Sequence, residues 1–162
     1  MGLAPSSRDN KAPAATGVRY DSIPTLGDAI ALATKAHRGQ SYPSPEPEPY
    51  ILHPLRVMRH VSRGDAQIVA VLHDVVEDTD VTLELLREIG FCDRIVTALD
   101  LLTRRPGETY EDYIHRLGDD PLAREVKFAD IGDNLANNRE LPHTSDNMAR
   151  IARYEWALDV LK

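Results

Sequence analysis

This sequence predicts an all-α fold, and three features predict it. Apolar residues recur at i, i+3 and i+4 through most of the chain. Little of the chain alternates with period two, and cap or breaker residues cut the pattern into helix-sized lengths. The 162 residues, 42% hydrophobic and 28% charged, leave room for one domain with a real core and too little for two.

Residues 1–22 are rich in Ala, Pro, Ser and Gly without an apolar period, which reads as a flexible leader to a domain at 23–162. Thr25 and Asp28 after Pro24 make a capping box, and Leu26, Ala29, Ile30, Ala33, Ala36 and His37 mark one face of a first helix that ends near Gly39. From Ser41 to Pro49 prolines occupy alternate positions. No helix or central strand tolerates this, so an extended loop is expected. Pro54 suits the first turn of the next helix, carrying Leu55, Met58 and Val61. Asp65 is expected to cap a strongly apolar helix running through Ile68, Val71, Leu72, Val75 and Val76. Asp80 or Thr82 opens a short helix that Gly90 closes, and Ile95, Ala98, Leu99 and Leu102 mark another that ends before Arg104-Arg105-Pro106-Gly107. Thr109 caps Tyr110–Leu117, and Pro121 starts a longer helix to about Asn137. The last helix, about 145–161, shows Met148, Ile151, Ala152, Trp156 and Leu158. Trp156 with Met148 and Ile151 reads as packing or as a contact in a homo-oligomer.

Composition excludes several classes of function. A net charge of −7 argues against a nucleic-acid binder, which normally carries a basic excess. No apolar run approaches the roughly 18–20 residues of a membrane span, so no membrane partner is expected. A single cysteine, Cys92, excludes an internal disulfide framework and fits a reducing, cytoplasmic compartment. A phosphorylated small molecule could be handled by so acidic a body only through a local cluster of cations or a bound metal.

The most informative stretch is His73-Asp74-Val75-Val76-Glu77-Asp78, at the most apolar point of the chain. On a helix His73 and Glu77 are four apart, and Asp74 is three from Glu77 and four from Asp78. All four then crowd one broad face. Three carboxylates together repel, and a divalent cation is the simplest remedy; a solvated helix end with a satisfied histidine is the alternative. His53 sits at a loop-to-helix junction, before Pro54. Lys127, Asp130, Asp133 and Asn134 share a face that is either functional or a plain surface stripe. Two His with two Asp suit Mn²⁺, Fe²⁺ or Zn²⁺.

Taken in order, Ala36-His37-Arg38-Gly39-Gln40, Pro49-Tyr50-Ile51-Leu52-His53-Pro54, Leu72-His73-Asp74 with Glu77-Asp78-Thr79, and Val126-Lys127-Phe128-Ala129-Asp130 with Asn134 resemble the HD-domain hydrolases of the RelA/SpoT type. Within these the chain is most similar to the small alarmone hydrolases related to the metazoan SpoT homologue, over about residues 26–140. The resemblance implies a helical HD bundle in which His53, His73, Asp74 and Asp130 hold one Mn²⁺ while Glu77 and Asp78 serve the attacking water. It implies a phosphorylated nucleotide as substrate, (p)ppGpp or its adenine counterpart, cleaved to release pyrophosphate. A nucleotide phosphatase acting on NADPH or nucleoside monophosphates is the alternative enzyme, and a nucleotide-sensing module without turnover the alternative of another class. Family members carry a basic residue between Gly-Gln and Pro-Tyr; here Ser41–Glu48 has none. Tyr42 is therefore expected to stack on the base in its place; the alternative is a loop that swings clear of the site and leaves Tyr42 packed or exposed. Arg104, Arg105 and Lys127 are expected to face phosphate, the alternatives being solvated loop arginines and a Lys127 paired with Asp130 or Glu125. Asn134 is expected to face the ribose or a phosphate-side water.

Overall fold

The computed structural model of the protein describes residues 22–162, so the leader read over 1–22 lies, but for Ser22, outside the described residues. The fold is all-α, as expected. Nine helices are present among the described residues: α1 (Leu26–Ala36), α2 (Leu52–Met58), α3 (Asp65–Leu72), α4 (Val75–Asp78), α5 (Leu83–Ile89), α6 (Asp93–Leu102), α7 (Tyr110–Gly118), α8 (Pro121–Glu140) and α9 (Ser145–Leu161). Between α1 and α2 runs a two-stranded ribbon, β1 (Ser41–Tyr42) and β2 (Glu48–Pro49).

Helix α3 is the hub. Ala66, Ile68, Val69, Ala70, Val71 and Leu72 are all buried, and a helix apolar on every side must be surrounded. It packs against α1, α2, α6 and α8, while α8 lies along α9 and also touches α2, α6 and α7. The core joins Ala29 and Ala33 of α1, Leu99 of α6, Ile114 and Leu117 of α7, Val126 and Ile131 of α8 and Leu161 of α9. Helix starts follow their caps. Thr25 and Asp28 exchange both bonds of the capping box. Thr82, Thr109, Asp120 and Thr144 each accept from the amide three residues on. Gly90 closes α5 at φ 109°, a left-handed backbone that suits glycine.

Several local expectations change. Gly64, not Asp65, precedes α3; Asp65 is its first residue, where an acid suits the helix dipole. The apolar helix does not run on to Val76 but breaks after Leu72, with His73 and Asp74 between α3 and α4. The proline-rich loop carries the β1–β2 ribbon, pairing Ser41 with Pro49 and Tyr42 with Glu48. Two residues at a free edge tolerate a proline because an outward-facing position needs no N–H in a ladder. Helix α8 continues to Glu140. On α9 the inward stripe is Asn147, Ile151, Ala157 and Leu161, whereas Met148 is 47% exposed and Trp156 rests half-buried near Tyr110 and His115. No helix among the described residues is long and apolar enough to cross a membrane.

Leu99 is fully buried at the centre of this packing. Leu99→Ala is expected to destabilise the fold by about 2–5 kcal/mol, because transfer and cavity terms add. Urea denaturation checks this through a lower midpoint at unchanged slope.

Candidate metal centre

The site is assembled by α2, the α3–α4 break and α8. His53 enters on the first turn of α2, and Asp130 projects from the middle of α8. His73 and Asp74 occupy the break, where the His73 ring takes over a backbone bond: its Nδ1–H donates to the Ala70 carbonyl at 2.7 Å. The helical interval that seemed to align His73 with Glu77 is therefore interrupted. His73 points inward and is 2% exposed, while Glu77 and Asp78 lie at the exposed edge of the same corner.

The tautomers of both histidines follow from their partners. A carbonyl oxygen can only accept, so His73 Nδ1 carries the proton. His53 Nδ1 lies 2.7 Å from Asp133 Oδ2, and a carboxylate likewise accepts. Each neutral ring then presents a bare Nε2 lone pair to the interior, the disposition of a metal-ligating imidazole. His53 Nε2 is 3.1 Å from Asp130 Oδ1 and 3.7 Å from Asp74 Oδ2. His73 Nε2 is 3.0 Å from Asp74 Oδ2 and 3.5 Å from Asp130 Oδ1. His53, His73 and Asp130 each offer one ligand atom, all within 4.8 Å of one another.

This donor set fits a divalent cation. His73 Nε2 is buried without a hydrogen-bond partner although a carboxylate oxygen stands 3.0 Å away. The two atoms are close without forming a directed hydrogen bond. Without a cation the protein compensates with protons. Burial acts to lower the His73 pKa, but Asp74 and Asp130 outweigh it and hold the ring well above its ordinary value. His53 is also raised: burial opposes, and its bonds to Asp130 and Asp133 prevail. Burial pushes the Asp130 carboxyl up, yet Lys127, His73 and His53 together hold it well below the usual range. His73 does the same for Asp74.

Three residues expected to meet substrate instead support the donors. Tyr42 is 3% exposed; its ring stacks on His53 at 4.8 Å and 9°, and its hydroxyl donates to Asn134 Oδ1 at 2.7 Å. With one face against His53 and almost no exposure, it is not free to stack on a base. Asn134 is used on both sides, accepting from Tyr42 and donating through Nδ2 to Asp130 Oδ1 at 2.6 Å. Lys127 Nζ binds Asp130 Oδ2 at 2.8 Å and lies 5.1 Å from the centre of the Tyr113 ring, so its charge is spent inside the protein. Arg104 and Arg105 remain exposed; Arg104 donates to the Glu108 carbonyl and Arg105 lies 3.7 Å from Asp100. Their loop is pinned by Arg116, which grips the Glu108 carboxylate and the carbonyls of Leu101 and Thr103. Partial desolvation raises Glu77, with Lys127 and the Arg104 amide opposing.

Residues to which the sequence assigned no role of their own complete the surroundings. Tyr50 donates to Asp74 Oδ2 at 2.6 Å and lies 3.4 Å from Asp78 Oδ2, while its ring stacks on His37. Gln40 ties His37 Nδ1 to the Asp78 carbonyl. Asp133 and Arg56 flank His53. One signal was present for both: Asp133 follows Asp130 by three, and Arg56 follows His53 by three.

Comparison with known proteins finds relatives along most of the chain. The guanosine-3′,5′-bis(diphosphate) 3′-pyrophosphohydrolase MESH1 of Danio rerio is 32% identical over 154 residues, covering 87% of this chain and 84% of that protein. The Mus musculus counterpart is 34% identical over 152 residues, covering 85% and 83%. A probable GTP pyrophosphokinase of Mycobacterium leprae is 36% identical over 137 residues, which are 77% of this chain but 17% of that protein. The solved structure of a metazoan ortholog of SpoT that hydrolyses ppGpp superposes with a TM-score of 0.64 at 20% identity, over 86% of this chain and 96% of that one, a likeness of fold. No protein-family model matches. With a third of its residues shared along most of both chains, and its donor atoms converging as described, the protein belongs to the MESH1 family of guanosine-3′,5′-bis(diphosphate) 3′-pyrophosphohydrolases.

Proposed function

We propose that the protein, through its domain at 23–162, is a metal-dependent pyrophosphohydrolase of ppGpp-type nucleotides. The observation that carries this reading is the convergence of the bare His53 and His73 Nε2 atoms on Asp130 and Asp74, with two further carboxylates at the open edge. The names of its relatives, ppGpp 3′-pyrophosphohydrolases, favour that substrate. His53, His73, Asp74 and Asp130 would hold one cation, with Mn²⁺ as the native metal. When bound, such an ion supplies positive charge that polarises a phosphoryl group and favours deprotonation of water near neutral pH.

The remaining steps belong to the chain. Glu77 accepts a proton from the attacking water, and desolvation, by raising its pKa, makes the carboxylate a stronger base. Asp78, held by Tyr50 and through Gln40, orients that water. The water oxygen bonds to the phosphorus nearest the ribose, the bond from that phosphorus to the 3′ oxygen breaks, and the 3′ oxygen takes a proton from solvent. Pyrophosphate and the 5′-phosphorylated nucleoside leave. Arg104 and Arg105 provide the exposed cations for the phosphates; Lys127 offsets the charge of Asp130. One cysteine and no membrane-length apolar helix among the described residues accord with a cytoplasmic setting.

His73→Ala and Asp130→Ala are expected to lose both bound metal, measured by emission spectroscopy after dialysis, and release of pyrophosphate from ppGpp. Full metal occupancy in either would show the ligands to be wrong. Glu77→Gln is expected to keep the metal while turnover falls by about 10²–10⁴-fold; near-normal turnover would remove Glu77 from the mechanism. A panel of ppGpp, pppGpp, ppApp, NADPH and nucleoside monophosphates, with phosphate and pyrophosphate distinguished, tests the substrate. Reconstitution with Mn²⁺, Fe²⁺ or Zn²⁺ tests the metal.

Linkage adds a pH signature. In metal-free protein the raised His53 and His73 contribute stability present below about pH 6.5 and lost as pH rises through their folded values. The depressed Asp74 and Asp130 contribute stability present above about pH 3.9 and lost on acidification. Chelated protein should therefore be most stable between these limits. A cation takes the place of the histidine protons, so the melting-temperature gain on adding metal should grow as pH rises toward the raised folded-state values of His53 and His73. Thermal melts from pH 5 to 9 with and without metal check it.

A further inference from the structure

The contacts of His53 on the side away from the candidate metal form a unit of their own. Asp133 Oδ2 accepts from His53 Nδ1 at 2.7 Å. Arg56 grips the same carboxylate with two nitrogens, Nε to Oδ1 at 2.8 Å and Nη2 to Oδ2 at 3.1 Å. The third guanidinium nitrogen, Nη1, binds Glu48 on β2. Tyr42 on β1 stacks on the His53 ring and has the Arg56 guanidinium 5.2 Å from its centroid. The two strands of the proline-rich ribbon thus reach His53 by separate routes, one setting the plane of the ring and the other the group that receives its proton.

We propose that Asp133, fixed by the Arg56 fork and tied through Glu48 to the ribbon, is a positioning residue that holds His53 in its Nδ1–H tautomer and so sets the site's affinity for a divalent cation. The inference rests on the reading of His53 as a ligand. A fork fits a carboxylate in one orientation, so Asp133 cannot rotate away from the ring without breaking two bonds to Arg56. A lysine at position 56 would keep the charge and lose that geometry. A carboxylate behind a ligating imidazole orients it and raises its basicity, and its loss ordinarily weakens metal binding about 10–100-fold. The ribbon has no cation to offer a nucleotide, and its contacts instead brace a ligand.

The test measures Zn²⁺ dissociation constants for the full chain by competition with a chromophoric chelator. The tautomer of the neutral His53 ring in chelated protein is read by ¹⁵N NMR. Asp133→Ala is expected to weaken Zn²⁺ about 10–100-fold and to mix the two tautomers. Asp133→Asn sets an N–H donor against either the Arg56 fork or His53 Nδ1 and removes the charge, so it should lose affinity and tautomer control as Asp133→Ala does. Arg56→Lys should fall between wild type and Asp133→Ala. Wild-type affinity with a single Nδ1–H tautomer in Asp133→Ala overturns the proposal. If circular dichroism shows that Asp133→Ala does not fold, unchanged affinity in Arg56→Lys overturns it instead. His53→Ala and His73→Ala separate the two levels. If both bind Zn²⁺ as tightly as wild type, the metal reading fails and this inference with it. If they lose Zn²⁺ while Asp133→Ala does not, only the positioning role fails.

Discussion

Two imidazoles and an aspartate are buried, with a half-buried lysine beside them, against a helix that is apolar on every side, and the rest of the molecule is arranged around that burial. Charges removed from water cost several kcal/mol each unless they meet opposite charge and hydrogen bonds on every side. Here Asp130 meets Lys127, Asn134 and both rings, and Asp74 meets Tyr50 and His73. His73 Nε2, buried without a hydrogen-bond partner, and His53 Nε2 both face the carboxylates among which a cation would sit. A polar network so nearly closed, with its gap at the centre, is built to be completed by a ligand.

Backbone geometry gives the network its direction. A continuous helix through 65–78 would place His73 and Glu77 on one stripe at equal standing. The break after Leu72 separates them, sending His73 into the core and leaving Glu77 and Asp78 at the edge, where water and substrate can reach them. Both histidines use the same device: Nδ1 is spent on the protein, Nε2 is kept for the site. For His73 the acceptor is a carbonyl of its own helix, which needs nothing further to hold it. For His53 it is a side chain on α8, which needs Arg56, and Arg56 in turn reaches the ribbon.

An acidic chain of this kind meets a polyphosphate with few free cations near its centre. Lys127 is neutralised internally, and the 41–49 ribbon adds Glu46 and Glu48 but no Lys or Arg. Arg104 and Arg105 are exposed, on a loop that Arg116 and Glu108 hold in shape. Under the proposed function, charge compensation for a substrate would fall to that loop and to the metal together.

The sequence by itself determined the helical class, most helix limits and the cluster of donor residues, because caps, breakers and 3.6-residue periodicity are local properties of the chain. It brought His53, His73, Asp74 and Asp130 under suspicion through their types and neighbours, and the same residues meet in space. What it could not decide was which way each side chain faces and what stands behind it. Spacing along α8 put Lys127, Asp130, Asp133 and Asn134 on one face; only the docking of α2 and the ribbon made Asp133 a partner of His53 and Asn134 a partner of Tyr42. Tyr42 looked free for a base because its neighbours are prolines, yet strand pairing turns it inward onto a ring eleven residues away. Hydrogen bonds and stacking between distant segments depend on how the helices pack, and that is settled by the tertiary structure alone.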